Sequence, residues 1–329
     1  MKLDEIAKLA GVSRTTASYV INGKAEQYRI SVKTQEKVLA VVNQHGFQPN
    51  HSASTLRAGV SKTFGLIVPD LENASYARLA KLLESAARKH GYHLLISCSD
   101  DEYGNEKEVA NSLVSRRIDV LLVASCIPPT DSFYEEIQQR GTPVIAIDRM
   151  FNDEIFASVI SEDFNGAVKL TEALLARGSQ SIALFGAVPE LVISKEREAG
   201  FHHAIKRAAC FSDKQVSVYY GEHFSREEGQ KLATQMMLES LVPDAILVSS
   251  YVLFEGILDC LSKYPEVLKS ATLATFGDNQ LLDMLPFKVI SLPQQFDKIA
   301  ERVLELALNA AKGDYERGVD IVSRRLVIR

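Results

Sequence analysis

The chain has 329 residues and carries 42 acidic and 37 basic side chains, so its net charge is −5. This charge is unevenly spread, because residues 1–62 hold nine Lys and Arg against four Asp and Glu. The acidic total argues against nucleic-acid affinity of the chain as a whole, whereas the basic head alone favours it. No apolar run approaches the roughly 20 residues that span a bilayer, which excludes a membrane-spanning helix.

The first residues predict two helices joined by a tight turn. Leu3 to Ala10 has helical spacing, and Gly11 ends the helix. Ser13 is a natural N-cap for a second helix, Arg14 to Asn22. The first helix is expected to turn its apolar side chains to one side, namely Leu3, Ile6, Ala7, Leu9 and Ala10.

A third helix completes a compact head. Ser31 opens it and Gly46 closes it, and the spacing predicts that it buries Val38, Leu39 and Val42. The head is thus a helix-turn-helix, which can be purely architectural or can bind DNA.

Exposed side chains of the head favour DNA binding. Arg14 and Thr15 lie at the N-terminal end of the second helix, the end that reaches base edges in the major groove. Four basic residues are placed for phosphate contacts, namely Lys2, Lys24, Arg29 and Lys33.

A short joint follows the head. Pro49 disfavours helix in the residues before it, and Asn50 is a good N-cap for a helix from Ser52 to Ala58 that Gly59 stops. A helix of this length is marginal in isolation, so it needs a partner surface to fold. A flexible linker is the alternative interpretation.

The remaining chain alternates strands and helices, which predicts an α/β body of two doubly wound parallel sheets. The predicted strands are Phe64 to Pro69, His93 to Ser97, Val120 to Ala124, Val144 to Ile147, Val159 to Ile160, Ser181 to Phe185, Val216 to Tyr219, Ala245 to Ser249 and Thr272 to Phe276. The strand-like segment Asp320 to Arg329 ends the chain, with no leucine heptad after it.

Ligands of such sheets bind beyond the C-terminal ends of the strands, so the residues after each strand are candidates. They are mostly polar: Asp70, Ser75, Ser125, Asp148, Arg149, Gly186, Phe224, Ser249, Ser250, Asp278 and Gln294. Arg149 and Arg197 exceed what a neutral sugar requires and indicate an anionic group, and the helix start at Ser75 and Tyr76 suits a phosphate. Each residue also has a structural alternative, such as a cap, an ion pair or a core position.

Two strings in the head, LDEIAKLAGVSRTTASYVINGK and RISVKTQEKVLAVVNQHGFQPN, resemble the DNA-binding head of the lactose-repressor family. The resemblance covers essentially the full chain. It implies that Arg14, Thr15 and Tyr19 read the major groove and that Thr16, Ser18 and Asn22 support them through backbone contacts. In the joint it implies a hinge helix that folds against its dimer partner in the minor groove, where Leu56 is the wedge, Ala53 permits close approach and Arg57 contacts DNA.

The resemblance also implies the domain plan. Residues 1–47 form the head, 48–60 the hinge, and 61–329 a periplasmic-binding-protein-like body that binds effector and dimerises. Its N-subdomain takes residues 61–160 and 293–321, and its C-subdomain takes 162–291 and 323–329. The chain is expected to cross between the sheets near Ser161 to Asp163, Gln294 to Gln295 and Val322.

Five motifs align with effector-cleft positions of the family: IAIDR, SKEREAGF, GEHFSREEG, TFGDN and LPQQF, which carry Asp148, Arg197, Phe224, Asp278 and Gln294. The family's usual Asn-Asp pair is replaced by Ser249 and Ser250. Loss of that aspartate is expected to leave the cleft net positive for a phosphorylated ketohexose. The resemblance points to fructose 1-phosphate, then fructose 1,6-bisphosphate, with another sugar operon and effector as the alternative.

We expect a homodimer that binds operator DNA, because helix-turn-helix heads bind symmetric half-sites. A tetramerising coiled coil like that of the lactose repressor is not expected, and tetramers built from other surfaces stay open. The start of the chain does not resemble a secretory signal, so we expect a cytoplasmic, nucleoid-associated protein rather than an exported sugar-binding protein. No phosphate-binding loop, dinucleotide fingerprint or nucleophile elbow is present, and the four cysteines lack metal-ligand spacing, so neither catalysis nor a metal nor a cofactor is expected.

Overall fold

The computed structural model describes residues 1–47, 60–208, 215–239 and 242–329. It divides into two compact units, Met1–Ser61 and Lys62–Arg329. The predicted hinge helix, with Asn50, Ala53, Leu56 and Arg57, lies outside the described residues.

The first unit contains the three predicted helices. They are α1 (Leu3–Ala10), α2 (Arg14–Ile21) and α3 (Val32–Gln44). Gly11 ends α1 in the left-handed conformation, with φ of 65°. The Ser13 hydroxyl caps α2 by accepting a hydrogen bond from the Thr16 amide at 3.0 Å, and Ser31 caps α3 in the same way.

A small apolar core holds these helices together. It is built on Ile6, Ala17 and Val38, which are fully or almost fully buried. The prediction that Leu9 and Leu39 are buried is wrong, because these residues are 56% and 44% exposed. Their neighbours along each helix already fill the narrow seam between three short helices, and a unit of this size has no room for a wider apolar face.

The second unit contains two six-stranded sheets, in the strand orders β11-β5-β4-β3-β1-β2 and β12-β10-β9-β8-β6-β7. The strands are β1 (Thr63–Val68), β2 (His93–Cys98), β3 (Val120–Val123), β4 (Val144–Ile147), β5 (Ala157–Ser161), β6 (Ile182–Ala187), β7 (Val216–Gly221), β8 (Ala245–Val248), β9 (Thr272–Phe276), β10 (Val289–Leu292), β11 (Gly318–Val322) and β12 (Val327–Ile328). The helices are α4 (Ala74–Lys89), α5 (Tyr103–Ser115), α6 (Phe133–Gln139), α7 (Phe164–Leu175), α8 (Val192–Ala208), α9 (Arg226–Leu238), α10 (Tyr251–Leu261), α11 (Pro265–Ser270) and α12 (Phe296–Ala310). A short 3-10 turn covers Gln280–Met284.

Both sheets have the doubly wound arrangement that the sequence predicted. The paired strands of the first sheet are parallel throughout. The second sheet is parallel except at its edge, where β12 pairs antiparallel with β10. Central strands such as β3, β4 and β8 are buried along their whole length, which explains their continuous apolar runs.

The strand-like segment Asp320 to Arg329 is two strands rather than one. β11 lies in the first sheet and β12 lies in the second, so the chain crosses between them. The crossing is fixed by Arg324, whose buried guanidinium reaches Asp163 at 3.0 Å.

Within the described ranges, three segments connect the sheets, near the positions that the family resemblance implied. They follow β5, β10 and β11. Side chains tie them to one another: Gln294 donates to the Ser161 hydroxyl at 3.0 Å, and Gln295 donates to the Ser323 carbonyl at 2.7 Å. The connections are therefore in direct contact with one another through side chains.

Candidate ligand cleft and helix-turn-helix surface

A cavity of about 270 Å³ lies between the two sheets of the second unit. Its walls come from residues that follow the C-terminal ends of the strands, together with the first turns of several helices. Ten of the thirteen candidates line it: Asp70, Ser75, Tyr76, Asp148, Arg149, Arg197, Phe224, Ser249, Ser250 and Gln294. The other three, Ser125, Gly186 and Asp278, do not.

Ser125 does not line the cavity. Its hydroxyl donates to the buried Glu106 carboxylate, and its carbonyl accepts from Arg149 Nη1 at 3.2 Å. Glu106 also accepts from the Tyr134 hydroxyl at 2.6 Å and the Cys126 amide at 2.7 Å. Ser125 therefore helps to hold Arg149 in position through its carbonyl, and it does not line the cavity that would hold a ligand.

Asp278 does not line the cavity either. Its carboxylate accepts from the Ser291 hydroxyl at 2.7 Å and pairs with Arg329 at 2.9 Å. Gly277, with φ of 85°, lines the cavity in its place and is bridged to Leu292. Because this left-handed turn lies directly before Asp278, the position of Asp278 after a strand did not correctly predict that it lines the cavity.

The cavity also contains residues that the sequence did not single out as candidates. They include Asn73, Asp100, Asp101, Ile193, His223, Ser225, Tyr251, Phe276 and Arg324. Asp100 and Asp101 follow β2, so the rule that found the other candidates applies to them as well. Arg324 carried no such signal, because it lies on a connection between sheets and not at the end of a parallel strand.

Two buried arginines share one carboxylate at the base of the cavity. Asp163 accepts from Arg197 Nε at 2.9 Å and from Arg324 Nη2 at 3.0 Å. Arg197 Nη1 also donates to the Ser249 carbonyl at 2.7 Å. Both guanidinium groups lie over the Phe276 ring, 4.5 Å and 5.2 Å from its centroid. The sequence allowed Arg197 either an ion pair or a place in the cleft, and the structure gives it both.

Arg149 is paired separately. Its Nη1 and Nη2 donate to the two oxygens of Asp101 at 2.5 Å and 2.9 Å. The side chain is 6% exposed, and its Nε is buried without an acceptor among the described residues. The guanidinium is thus held in one orientation at the wall of the cavity.

Asp148 lies among these charges. It accepts from the Tyr76 hydroxyl at 2.9 Å and from the Gln294 amide at 2.8 Å. Burial would raise the pKa of its carboxyl, but the nearby guanidinium groups of Arg197, Arg324 and Arg149 outweigh burial and lower the pKa below its usual range. Burial and the negative charge of Asp148 raise the pKa of Tyr76, so Tyr76 is a hydroxyl donor at neutral pH.

The prediction that the cleft carries a net positive formal charge is wrong. Four aspartates, Asp70, Asp100, Asp101 and Asp148, and three arginines line the cavity. Helix N-termini add partial positive charge to that of the arginines, because lining residues lie at the starts of α4, α9 and α10, whose N-caps are Asn73, Ser225 and Ser250. The cavity thus combines acceptors for hydroxyl groups with oriented donors for an anion.

No metal site accompanies this arrangement within the part of the chain that the structure describes, where no group of three or more His, Cys, Asp or Glu side chains is placed to hold an ion. The described cysteines, Cys98, Cys126 and Cys260, are free thiols. Cys210 lies outside the described residues. Within the same described ranges, no helix is long and apolar enough to cross a membrane.

The predicted DNA-reading residues share the exposed side of α2. Arg14 and Thr15 are exposed at its N-terminal end. Arg14 pairs with Asp4 of α1 at 3.1 Å across the surface. Arg29, also predicted to contact DNA, is exposed and has φ of 51°.

The predicted supporting residues are engaged in internal hydrogen bonds. The Thr16 hydroxyl is 2.8 Å from that of Ser13. Asn22 donates through its side-chain amide to the Ser18 carbonyl at 2.7 Å and to the Ser18 hydroxyl at 3.2 Å. These bonds fix the two ends of α2, so they orient the exposed residues between them.

Comparisons with known proteins found family matches in both units of the chain. Residues 2–50 match the family of bacterial regulatory proteins of the lacI type, and residues 61–262 match the periplasmic binding proteins and sugar-binding domain of the LacI family. A fructose operon regulatory protein of Vibrio cholerae is 56% identical over 329 residues, which is the full length of both chains. The chain belongs to the LacI family of bacterial transcriptional regulators. It is not an enzyme, because this family regulates genes.

Other relatives of this LacI-family chain are similar over most of its length. The catabolite repressor/activator of Escherichia coli is 43% identical over 309 residues, 94% of this chain and 91% of that protein. A crystal structure of the Cra transcriptional dual regulator from Pseudomonas putida in complex with fructose 1-phosphate is 46% identical, with a TM-score of 0.77, over 82% of this chain and 98% of that one. The lac repressor dimer bound to operator has a TM-score of 0.86 at 23% identity over 99% of this chain and 97% of that one, which shows the fold alone.

Proposed function

We propose that this LacI-family regulator binds operator DNA as a homodimer, controls fructose and central carbon genes, and leaves its operator when fructose 1-phosphate binds in the cleft. It acts as a repressor where its operator blocks transcription and as an activator at other operator positions. Its partner is chromosomal DNA, so its place is the cytoplasm, in association with the nucleoid.

The three buried arginines of the cleft carry the proposal for a phosphorylated ligand. Arg149, Arg197 and Arg324 are each 6% exposed, and all three line a cavity of sugar size. A neutral sugar does not need this number of guanidinium groups, whereas a phosphate benefits from their charge and their fixed geometry. The fructose 1-phosphate complex of a protein 46% identical to this chain supports the same ligand class.

The geometry suggests a division of labour inside the cleft. Asp148 and Gln294 offer the acceptor and amide groups that suit sugar hydroxyls. Phe224 lines the cavity and packs against the apolar core of the second sheet, so its ring covers one sugar face. The phosphate belongs near Arg149 and the first turn of α4, which contains Ser75 and Tyr76 and adds a positive dipole end.

Control of DNA binding follows from the three crossings. A ligand that bridges the two sheets draws them together, and the hydrogen-bonded connections transmit that motion. We propose that residues 1–47 read DNA, that residues 48–60 form the hinge with Asn50, Ala53, Leu56 and Arg57 at the minor groove, and that residues 61–329 bind effector and dimerise. Closure of the body separates the two hinge segments of the dimer and releases the heads.

Fluorescence anisotropy with a labelled palindromic operator tests this proposal. Fructose 1-phosphate should release the DNA, fructose 1,6-bisphosphate should act more weakly, and fructose should have little effect. Unchanged operator affinity at saturating fructose 1-phosphate would overturn the mechanism, and tighter binding would reverse the proposed sign. Release by sucrose or by a different sugar phosphate would favour the alternative, a regulator of another sugar operon.

A further inference from the structure

We propose that Asp101 is a built-in competitor for the ligand's phosphate, because its carboxylate occupies the edge of the Arg149 guanidinium that the phosphate would use. The inference rests on the proposed function, since it assumes an anionic ligand in the cleft. It assigns to this aspartate a role in setting the affinity of the cleft for its anionic ligand.

The contact between Asp101 and Arg149 has the geometry of a bound anion. Both carboxylate oxygens accept from the two terminal nitrogens of the guanidinium, at 2.5 Å and 2.9 Å. Two oxygens of a phosphate bind arginine in the same parallel arrangement. A phosphate that uses this edge of Arg149 must therefore displace the Asp101 carboxylate.

Asp101 differs in this respect from the other carboxylate that binds cleft arginines. Asp163 is 5% exposed, lies on a connection between the sheets, and holds both Arg197 and Arg324. Asp101 lines the cavity together with Arg149 and belongs to the segment between β2 and α5. A ligand can reach and replace Asp101, whereas replacing Asp163 would leave two arginines without their shared partner.

The backbone around Asp101 favours its release. Asp100 and Asp101 both have left-handed conformations, with φ of 56° and 54°. Two successive residues of this kind are costly for side chains other than glycine, although aspartate and asparagine tolerate the region best. The ion pair with Arg149 offsets this cost, so exchange of the carboxylate for a phosphate lets the segment relax. A neutral sugar offers no substitute anion and leaves the pair intact.

Calorimetric titration of the full chain tests the role of Asp101. Asp101→Asn should bind fructose 1-phosphate roughly tenfold more tightly than the wild type, because the charge-assisted competitor is gone. The affinity of Asp101→Asn for fructose should differ from the wild-type value no more than the affinity of the control variant does. The matched control is Asp100→Asn, which removes a carboxylate from the same segment, the same cavity and the same backbone conformation without a side-chain contact to Arg149.

The comparison of the two variants decides the outcome. Equal or weaker fructose 1-phosphate binding by Asp101→Asn than by Asp100→Asn would overturn the proposal, because long-range charge or lost positioning of Arg149 would then explain the data. If Asp101→Asn does not fold, Asp101→Gly provides the same test, since glycine accepts the left-handed conformation.

Inorganic phosphate separates this inference from the proposed function. If wild-type protein binds no fructose phosphate, the proposed function fails. Tighter phosphate binding by Asp101→Asn than by Asp100→Asn would still establish that Asp101 competes with an anion for Arg149. Equal phosphate binding by the two variants would reject the competition itself.

Discussion

Tyr19 of α2 and Tyr28, which precedes α3, stack face to face, with ring centroids 3.7 Å apart and ring planes 3° apart. The side-chain hydrogen bond with Tyr28, together with burial, raises the pKa of Tyr19. Tyr28 is 48% exposed, so the stack lies at the surface of the head and not in its core. The family resemblance assigns the Tyr19 ring to the major groove. Tyr28, which lies outside α2, therefore orients this ring.

The stack predicts that Tyr28 acts on DNA recognition through Tyr19. Tyr28→Ala should lower operator affinity by about threefold to tenfold, the range expected for loss of an aromatic pair. Tyr28→Phe should retain most of the affinity, because the ring remains. Anisotropy with operator and with unrelated DNA measures both effects. Equal loss for the two variants would point to the hydroxyl and contradict the stacking argument.

Arg14 and Lys33 should differ in the kind of affinity that they contribute. Arg14→Ala should weaken operator binding roughly 10-fold to 100-fold and reduce discrimination between operator and unrelated DNA, because a base contact is lost. Lys33→Ala should weaken both DNAs similarly and lower the salt dependence of binding by about one unit of slope, as for a phosphate contact. Titrations at several salt concentrations distinguish these patterns. A uniform loss with Arg14→Ala would place Arg14 at the backbone.

Asp163 should be a strong contributor to the stability of the second unit. Asp163→Asn removes the charge that Arg197 and Arg324 share, and breaking a buried pair of this kind costs about 3–5 kcal/mol. Glu162→Gln is the neighbouring control, since its partner Lys169 is 41% exposed and such a pair contributes at most about 1 kcal/mol. Urea unfolding followed by circular dichroism measures both. Similar midpoints for the two variants would show that the shared carboxylate is not a strong stabiliser.

Asp148 should contribute to loss of stability in acid. Its folded pKa is lowered, because the positive charges around it outweigh burial. Its contribution is therefore present above the unfolded aspartate pKa of about 3.9, and is lost as the pH falls from there through the folded value. Asp148→Asn should destabilise the protein at neutral pH and lose less stability on acidification. Parallel stability curves for wild type and variant between neutral pH and pH of about 3 would contradict this assignment.

Some features of the cleft were predictable because they follow from local rules. Polar residues directly after parallel strands, such as Asp70, Asp148 and Ser249, meet at one edge of the sheets in any doubly wound fold. The same rule failed for Asp278 and Ser125. A left-handed glycine precedes the first, and a buried carboxylate, Glu106, binds the second. The spacing of residues along the sequence indicates neither the left-handed glycine nor the contact with Glu106.

The sequence by itself determined the helix-turn-helix and most of the strands of the body, although it did not indicate β10. Caps such as Ser13 and Ser31, the turn at Gly11, and continuous apolar strands act over a few residues, so their physics is contained in short stretches of sequence. Only the tertiary structure decided which charges meet. Asp101 and Arg149 are 48 positions apart, and Asp163 and Arg324 are 161 apart. Contacts of this range depend on how the sheets are joined and packed, which no local pattern encodes.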